Sequence, residues 1–375
     1  MANNNTDQNK LTALDEQAVQ YIAVGAAVLG TGGGGDPHIG KLMALEAIRK
    51  YGPVRLVRPE ELEDDSLVVP LSMIGAPTVM NEKIPSIEQM TQPLDLIEKE
   101  LGRKVSAVMP IEVGGGNSLV PVIAAAERGI PILDADAMGR AFPESQMVTF
   151  YLDGIDCSPI TMADERGNGV LMHAIDGVWE ERMARALTIQ MGGSASICDY
   201  PVSGAQVKKS AVPHTLTLAY EIGKTLFESK EQKQNPIEAL LKQLHGYALF
   251  NGKAVDIRRR TEGGFTRGEA VFEGTDAEKG RTMRLYFQNE FLLATEDGRS
   301  LAVTPDLISL LDQDTGMPIT TENLKYGARV TAVGFPCDPR WRTPKGLETV
   351  GPKYFGYDIP YVPIEELAAG KGGNL

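Results

Sequence analysis

Glu112 follows the apolar run Val105-Ser106-Ala107-Val108-Met109 and precedes Gly114-Gly115-Gly116-Asn117-Ser118. A carboxyl lodged between an apolar strand and glycines has few purely structural uses, and it stands beside accessible amides where a proton-handling group would serve. A second acidic block, Asp134-Ala135-Asp136-Ala137-Met138-Gly139-Arg140-Ala141-Phe142-Pro143-Glu144, follows the apolar run 130–133. In extended chain Asp134 and Asp136 point the same way. They then form a bidentate arm for a hard cation, or a pair with divided acid and base roles. A plainer use is equally open, in which one caps a helix and the other pairs with Arg140.

Glycines stand beside these acids. Gly30-Thr31-Gly32-Gly33-Gly34-Gly35-Asp36-Pro37 lies between residues at helical spacing (Ile22, Ala23, Ala26, Ala27, Leu29) and a helix start, with Asp36 as N-cap and Pro37 as first helical residue. A loop without Cβ atoms can aim amides and a helix N-terminus at an anionic or carbonyl oxygen. Thr31, Gly32, Gly33, Gly34, Gly35 and Asp36 are therefore candidate substrate contacts, as are Gly114, Gly115 and Asn117 in the second glycine block. The loop is neither a P-loop, lacking Gly-Lys-Ser/Thr, nor a dinucleotide fingerprint, which follows a strand. Ser72-Met73-Ile74-Gly75-Ala76-Pro77 with Glu82-Lys83 reaches the same rim, which adds Glu82. His38, His173, His214 and His245 show no metal-ligand spacing. Cys157, Cys198 and Cys337 form no Cys-x-x-Cys pair and read as reduced thiols.

The elements that must carry these residues follow from the pattern. Strand runs at 54–57, 67–71, 105–109 and 130–133 alternate with helices at 94–101 and 118–128, the second capped by Asn117. This is the signature of a layered α/β domain with a largely parallel sheet. In an open sheet the strand ends converge on one crevice. Helices are predicted at 177–191, 216–229 and 236–244. Beyond Tyr247 the chain is β-rich. The expected organisation is a disordered N-terminus at 1–13, an α/β domain at 14–175, a C-terminal domain at 176–365 that is helical and then β-rich, and a flexible tail at 366–375. With 375 residues, 42% hydrophobic, and a formal net charge of −13, the chain can bury a large core and disfavours nucleic acid or an anionic membrane surface as partner. Without a signal peptide or an apolar run of membrane length it is expected in the cytoplasm. A small-molecule substrate and a homo-oligomer are expected.

Together, residues 30–37, 112–118 and 134–144 resemble the signature blocks of the S-methyl thiohydantoin desulfurase-like family. The resemblance extends to Leu311-Asp312-Gln313-Asp314-Thr315-Gly316-Met317-Pro318-Ile319, Tyr326-Gly327-Ala328-Arg329-Val330 and Gly351-Pro352-Lys353-Tyr354-Phe355-Gly356-Tyr357, so it spans roughly 14–362. It implies a two-domain enzyme that hydrolyses the C–S bond of an S-methylated thiohydantoin to a hydantoin and methanethiol. In that scheme Glu112 or Asp134 is the base and Asp136 or Glu144 the supporting acid. Arg140 anchors an anionic tail. A divalent metal assisting the base would draw on Asp36, Glu112, Asp134 and Asp136. Two alternatives differ in class: a non-catalytic partner of a hydantoinase/oxoprolinase-type system, and a nucleotide-binding enzyme.

Overall fold

A computed structural model describes residues 11–76, 79, 82, 83 and 85–370. Four short strands form a parallel centre: β1 (Val54–Val57), β2 (Leu67–Gly75), β3 (Ala107–Met109) and β4 (Ile132–Leu133). Their order is β1-β4-β3-β2. β2 is buried along its whole length, which is why it reads as continuous apolar residues and not as an alternation. Past β2 the sheet continues antiparallel through β7 (Ser194–Cys198), β5 (Ile160–Ala163) and β6 (Gly169–Met172). Two-residue strands add antiparallel at Ala13–Leu14 against β1 and at Val202–Ser203 against β2.

The helices follow their signals closely. α1 (Glu16–Leu29) and α2 (Pro37–Tyr51) flank the glycine loop, and the Asp36 side chain accepts from the His38 amide at 2.8 Å as the expected cap. α3 (Ile87–Leu101) starts seven residues earlier than predicted at Leu94. Ser86 caps it, and the buried face Met90, Leu94 and Ile97 continues across Pro93, so burial outweighs the proline. α4 is Val120–Arg128, preceded by a 3-10 turn at Gly115–Ser118. Asn117 is not its cap: the side chain turns to Met73 and Glu112 instead. α5 (Gly177–Gln190) and α6 (Thr215–Glu231) close the layer. α1 and α6 touch backbone to backbone, because a Cβ at Gly25 would overlap Ala219 and one at Gly223 would overlap Tyr21.

The C-terminal part is one antiparallel sheet: β8 (Tyr247–Glu262), β9 (Phe265–Gly274), β10 (Thr282–Gln288), β11 (Glu290–Glu296), β12 (Arg299–Val303), β13 (Leu307–Asp312), β14 (Pro318–Ile319) and β15 (Arg329–Phe335). The order is β12-β11-β10-β9-β8-β15-β13-β14. The class expected from sequence, α/β with a parallel-centred sheet followed by a β-rich domain, is what the chain forms. The described residues form two hydrophobic cores. The first takes in Ala184, Ile197, Leu216, Leu240 and Trp341 together with Leu307, Leu311, Val333 and Phe335, so the helices after residue 176 share a core with the first layer and with one end of the β-rich sheet.

The disorder expected through residue 13 is corrected at its end, since Ala13 pairs with Arg55. Residues 1–10 lie outside the described residues. In the expected flexible tail, helix Ile364–Ala369 covers the start and 371–375 lie outside the described residues. Among the described residues no helix is long and apolar enough to cross a membrane.

Candidate active site

A pocket opens where the C-terminal ends of β2 and β3 meet the β-rich sheet. Ser72, Met73, Glu112, Asn117, Phe142, Glu144, Arg185, Asp199, Asn289 and Glu290 are among the residues that line it, with Gly34 and Gly35. Glu112 is 4% exposed. Its Oε1 accepts from Asn117 Nδ2 at 2.7 Å, and its Oε2 is buried with no partner among the described residues. Asn117 is itself locked, accepting from the Met73 amide at 2.9 Å and donating to the Met73 carbonyl at 3.2 Å. Burial pushes the Glu112 carboxyl up to about 8, with repulsion from Asp136 adding to it and the Asn117 and Phe142 hydrogen bonds opposing it.

Glu290, at the start of β11, comes from the other domain and meets Glu112 across the pocket. Its Oε1 accepts from the Gly34 amide at 3.2 Å, and its Oε2 is buried without a partner among the described residues. Burial and then the Glu112 charge hold it well above the ordinary carboxylate range. Asp199, just past β7, has an Oδ1 without a partner among the described residues and is raised to about 7 by burial. Glu180 is fully buried and is also held well above its usual value by burial and by Asp199 and Glu181.

The glycine loop has a tertiary job. A Cβ at Gly32 would overlap the Phe291 ring, one at Gly33 the Glu290 carboxyl, and one at Gly34 the Gly114 backbone. A Cβ at Gly115 would overlap the Gly35 carbonyl, and one at Gly114 would overlap Ala141. The two glycine blocks are bonded together, with Gly116 N donating to Gly35 O at 3.0 Å and Asn117 N to Gly34 O at 3.2 Å. The loop is bonded to the β-rich sheet by Phe291 N to Thr31 O at 2.6 Å and Thr321 N to Gly32 O at 2.8 Å. Amides expected to face a ligand are thus engaged inside the protein: Gly33 N by Gly30 O, Gly34 N by Glu290. Of the four consecutive glycines, Gly35 alone has open space at its Cβ position.

The remaining predicted residues separate clearly. Glu144 lines the pocket and accepts from Gln146 at 2.7 Å and the Tyr354 hydroxyl at 2.5 Å. Asp136 is fully buried outside the lining, accepting from the Val113 amide at 2.7 Å and the Gly139 amide at 2.8 Å. Burial raises it to about 7. Asp134 is not brought to the pocket: its oxygens accept from Thr217 N at 2.9 Å and Thr217 Oγ1 at 2.6 Å, capping α6, and sit 3.3 Å from His214 Nδ1. Arg140, expected as an anion anchor, is fully buried. It donates to the Pro305 and Asp306 carbonyls at 2.7 and 2.8 Å and to Thr31 Oγ1 at 2.8 Å, and so joins the glycine loop to the second domain. Asp36 caps α2 and accepts from Asn323, and Glu82 is exposed outside the lining. Asp36, Glu112, Asp134 and Asp136 therefore do not converge as a ligand set. Among the described residues no three His, Cys, Asp or Glu side chains are arranged to hold a metal.

Two family models match the chain, the S-Me-THD-like N-terminal domain over 17–174 and the S-Me-THD-like C-terminal domain over 175–364. The chain belongs to the S-Me-THD-like family. A crystal structure of a protein from Chromobacterium violaceum is similar to it, with a TM-score of 0.79 and 25% sequence identity over 94% of this chain and 100% of that one. No protein of curated function matches. The S-Me-THD-like division at 174/175 falls between β6 and α5, both of which belong to the first layer, while the pocket takes Glu112 from one family domain and Asp199 and Glu290 from the other.

Sequence reading missed Glu290, Asn289 and Asp199. A signal for the first two exists: Gln288-Asn289-Glu290 is a polar turn between apolar strand runs, with Asn289 at φ 56.

Proposed function

We propose that this S-Me-THD-like chain is a hydrolase of a hydantoin-like ring that cleaves the C–S bond of an S-methyl thiohydantoin, giving a hydantoin and methanethiol. The observation that carries the reading is the pair Glu112 and Glu290, two buried carboxyls in one pocket, each with an oxygen free of partners among the described residues. Neighbouring acids that cannot both ionise divide into an acid and a base. Glu290, buried and facing the Glu112 charge, holds its proton and serves as the acid, with Glu112, fixed by Asn117, as the base.

Water adds to C2, the carbon that bears sulfur, as Glu112 Oε2 takes one of its protons and passes it to the ring nitrogen. The adduct collapses to the carbonyl, and methanethiolate departs with the proton of Glu290. The second water proton then restores Glu290. Both carboxyls end as they began, and the two water protons leave on the ring nitrogen and on methanethiol. Asn117 fixes the Glu112 rotamer, and the apolar walls Met73, Ile111 and Phe142 limit bulk water. The setting proposed is a cytoplasmic homo-oligomer acting on a small molecule.

The test is thiol release from synthetic S-methyl thiohydantoin by purified protein. Release by the wild type that falls at least about a hundredfold in Glu112→Gln supports the reading. No release by folded protein, or equal release by the variant, overturns it.

A further inference from the structure

The charge balance of the pocket goes unused in this mechanism. Its charged lining is Glu112, Glu144, Asp199, Glu290 and Arg185. Arg185 is already engaged: Nε donates to Glu181 at 2.7 Å, Nη2 donates to the Pro143 carbonyl at 3.2 Å, and its guanidinium lies over the Phe265 ring. Glu144 is satisfied by Gln146 and Tyr354. Glu112 Oε2, Asp199 Oδ1 and Glu290 Oε2 remain, each buried and without a donor among the described residues. Those three residues are 4%, 2% and 2% exposed, so bulk water does not serve them. Buried acceptors without donors are costly, and they are relieved by a ligand that brings N–H groups.

We propose that this pocket recognises a small planar cation of the amidinium or guanidinium class, its N–H edges on Glu112 and Glu290, and that it rejects anions. Such a cation is weakly hydrated and offers paired donors in the plane that carboxylates accept best. The C2 unit of an S-methyl thiohydantoin, N–C–N with sulfur outside the ring, has the same shape and becomes this cation on protonation. The inference rests on the hydrolase reading for the five-membered ring, but not for the charge. A carboxylate substituent would have to stay outside a pocket whose only lining cation among the described residues is already paired.

Calorimetric titration with three rings of one size tests it: 2-aminoimidazoline as the cation, imidazolidin-2-one as its neutral isostere and 2-oxoimidazolidine-4-carboxylate as the anion. The cation is expected to bind roughly tenfold or more tighter than the neutral ring, with the anion weakest. The cation's N–H groups favour the ionised form of Glu290, which the hydrolytic cycle otherwise keeps protonated, so Glu290→Gln should weaken the cation roughly tenfold and leave the neutral ring nearly unchanged. Asp199→Asn supplies the same comparison where Glu290→Gln does not fold. Equal or tighter binding of the neutral or anionic ring overturns the inference, as does no binding of any ring or a cation affinity unchanged in both folded variants. Methanethiol release is measured alongside. Release without cation preference leaves the hydrolase reading standing and removes this one, and cation preference without release does the reverse.

Discussion

Glu112→Gln keeps the volume of the side chain and an acceptor for Asn117 but removes its titration. Two outcomes belong to this single residue. In catalysis, the base must be ionised, so kcat/KM should climb as pH rises through about 8, where burial has moved Glu112, while Glu290, held well above the carboxylate range by burial and the Glu112 charge, keeps its proton. A pH profile already flat below 7 would remove Glu112 as base. In stability, the folded pKa lies above the unfolded value near 4.5, so the folded state binds the proton more tightly. That contribution is whole below about 4.5 and is lost as pH rises to about 8. Thermal melts of Glu112→Gln should therefore gain on wild type from pH 4.5 to 8 and hold a constant lead above it. Asp134→Asn is the contrasting residue. It weakens the α6 cap by about 1 kcal/mol and leaves turnover within a factor of two or so, since Asp134 is bonded to Thr217 away from the pocket. Chemical denaturation and the thiol assay on one sample check both halves.

At the scale of elements, the glycine loop is a docking joint. Gly115→Ala places a methyl on the Gly35 carbonyl and also has φ 48, so backbone must move against backbone. The expected loss is about 3 kcal/mol or more, read by urea unfolding, with turnover lost as Asn117 shifts. Gly35→Ala faces open space, and its φ of 82 makes the cost only about 1–2 kcal/mol. If the two variants proved equally stable, close packing of the two glycine blocks would not be what selects glycine there. The helices and strands themselves need no such joint to be read: the caps Asp36, Ser86 and Asp176, and the apolar faces behind them, are local signals. α3 extends back past the predicted start at Leu94 because the buried face that includes Met90 outweighs the proline at 93.

For the molecule as a whole, the pocket exists only when two layers are assembled. Glu290 and Asn289 arrive from the β-rich sheet, and Arg140 ties that sheet to the glycine loop through Thr31, Pro305 and Asp306. Arg140→Met keeps the apolar stem and strands these buried acceptors, so the expected loss is about 3 kcal/mol with the ligand response abolished before the fold is. Near-ultraviolet circular dichroism and ring-compound binding, followed together through denaturant, would show the pocket failing first. A single coincident transition with wild-type midpoint would show that the clamp carries little.

The α/β and β-rich halves were readable from the strand and helix runs, and the Asp36 cap and the first pocket acid Glu112 from residues 30–37 and 112–118, whereas Asn117, a cap by its place in the sequence, is not one. Each depends on neighbours within a few positions, through periodicity, capping or a glycine beside an acid. The division of the acids was not readable. Whether Asp134 faces a ligand or Thr217, whether Arg140 meets an anion or the Pro305 and Asp306 carbonyls, and whether Glu290 meets Glu112 at all are decided by contacts more than eighty residues apart in the chain. Sequence sets which groups can titrate and bond. Tertiary packing decides which of them lose water, and it is the loss of water that turns a carboxyl into a working acid or base.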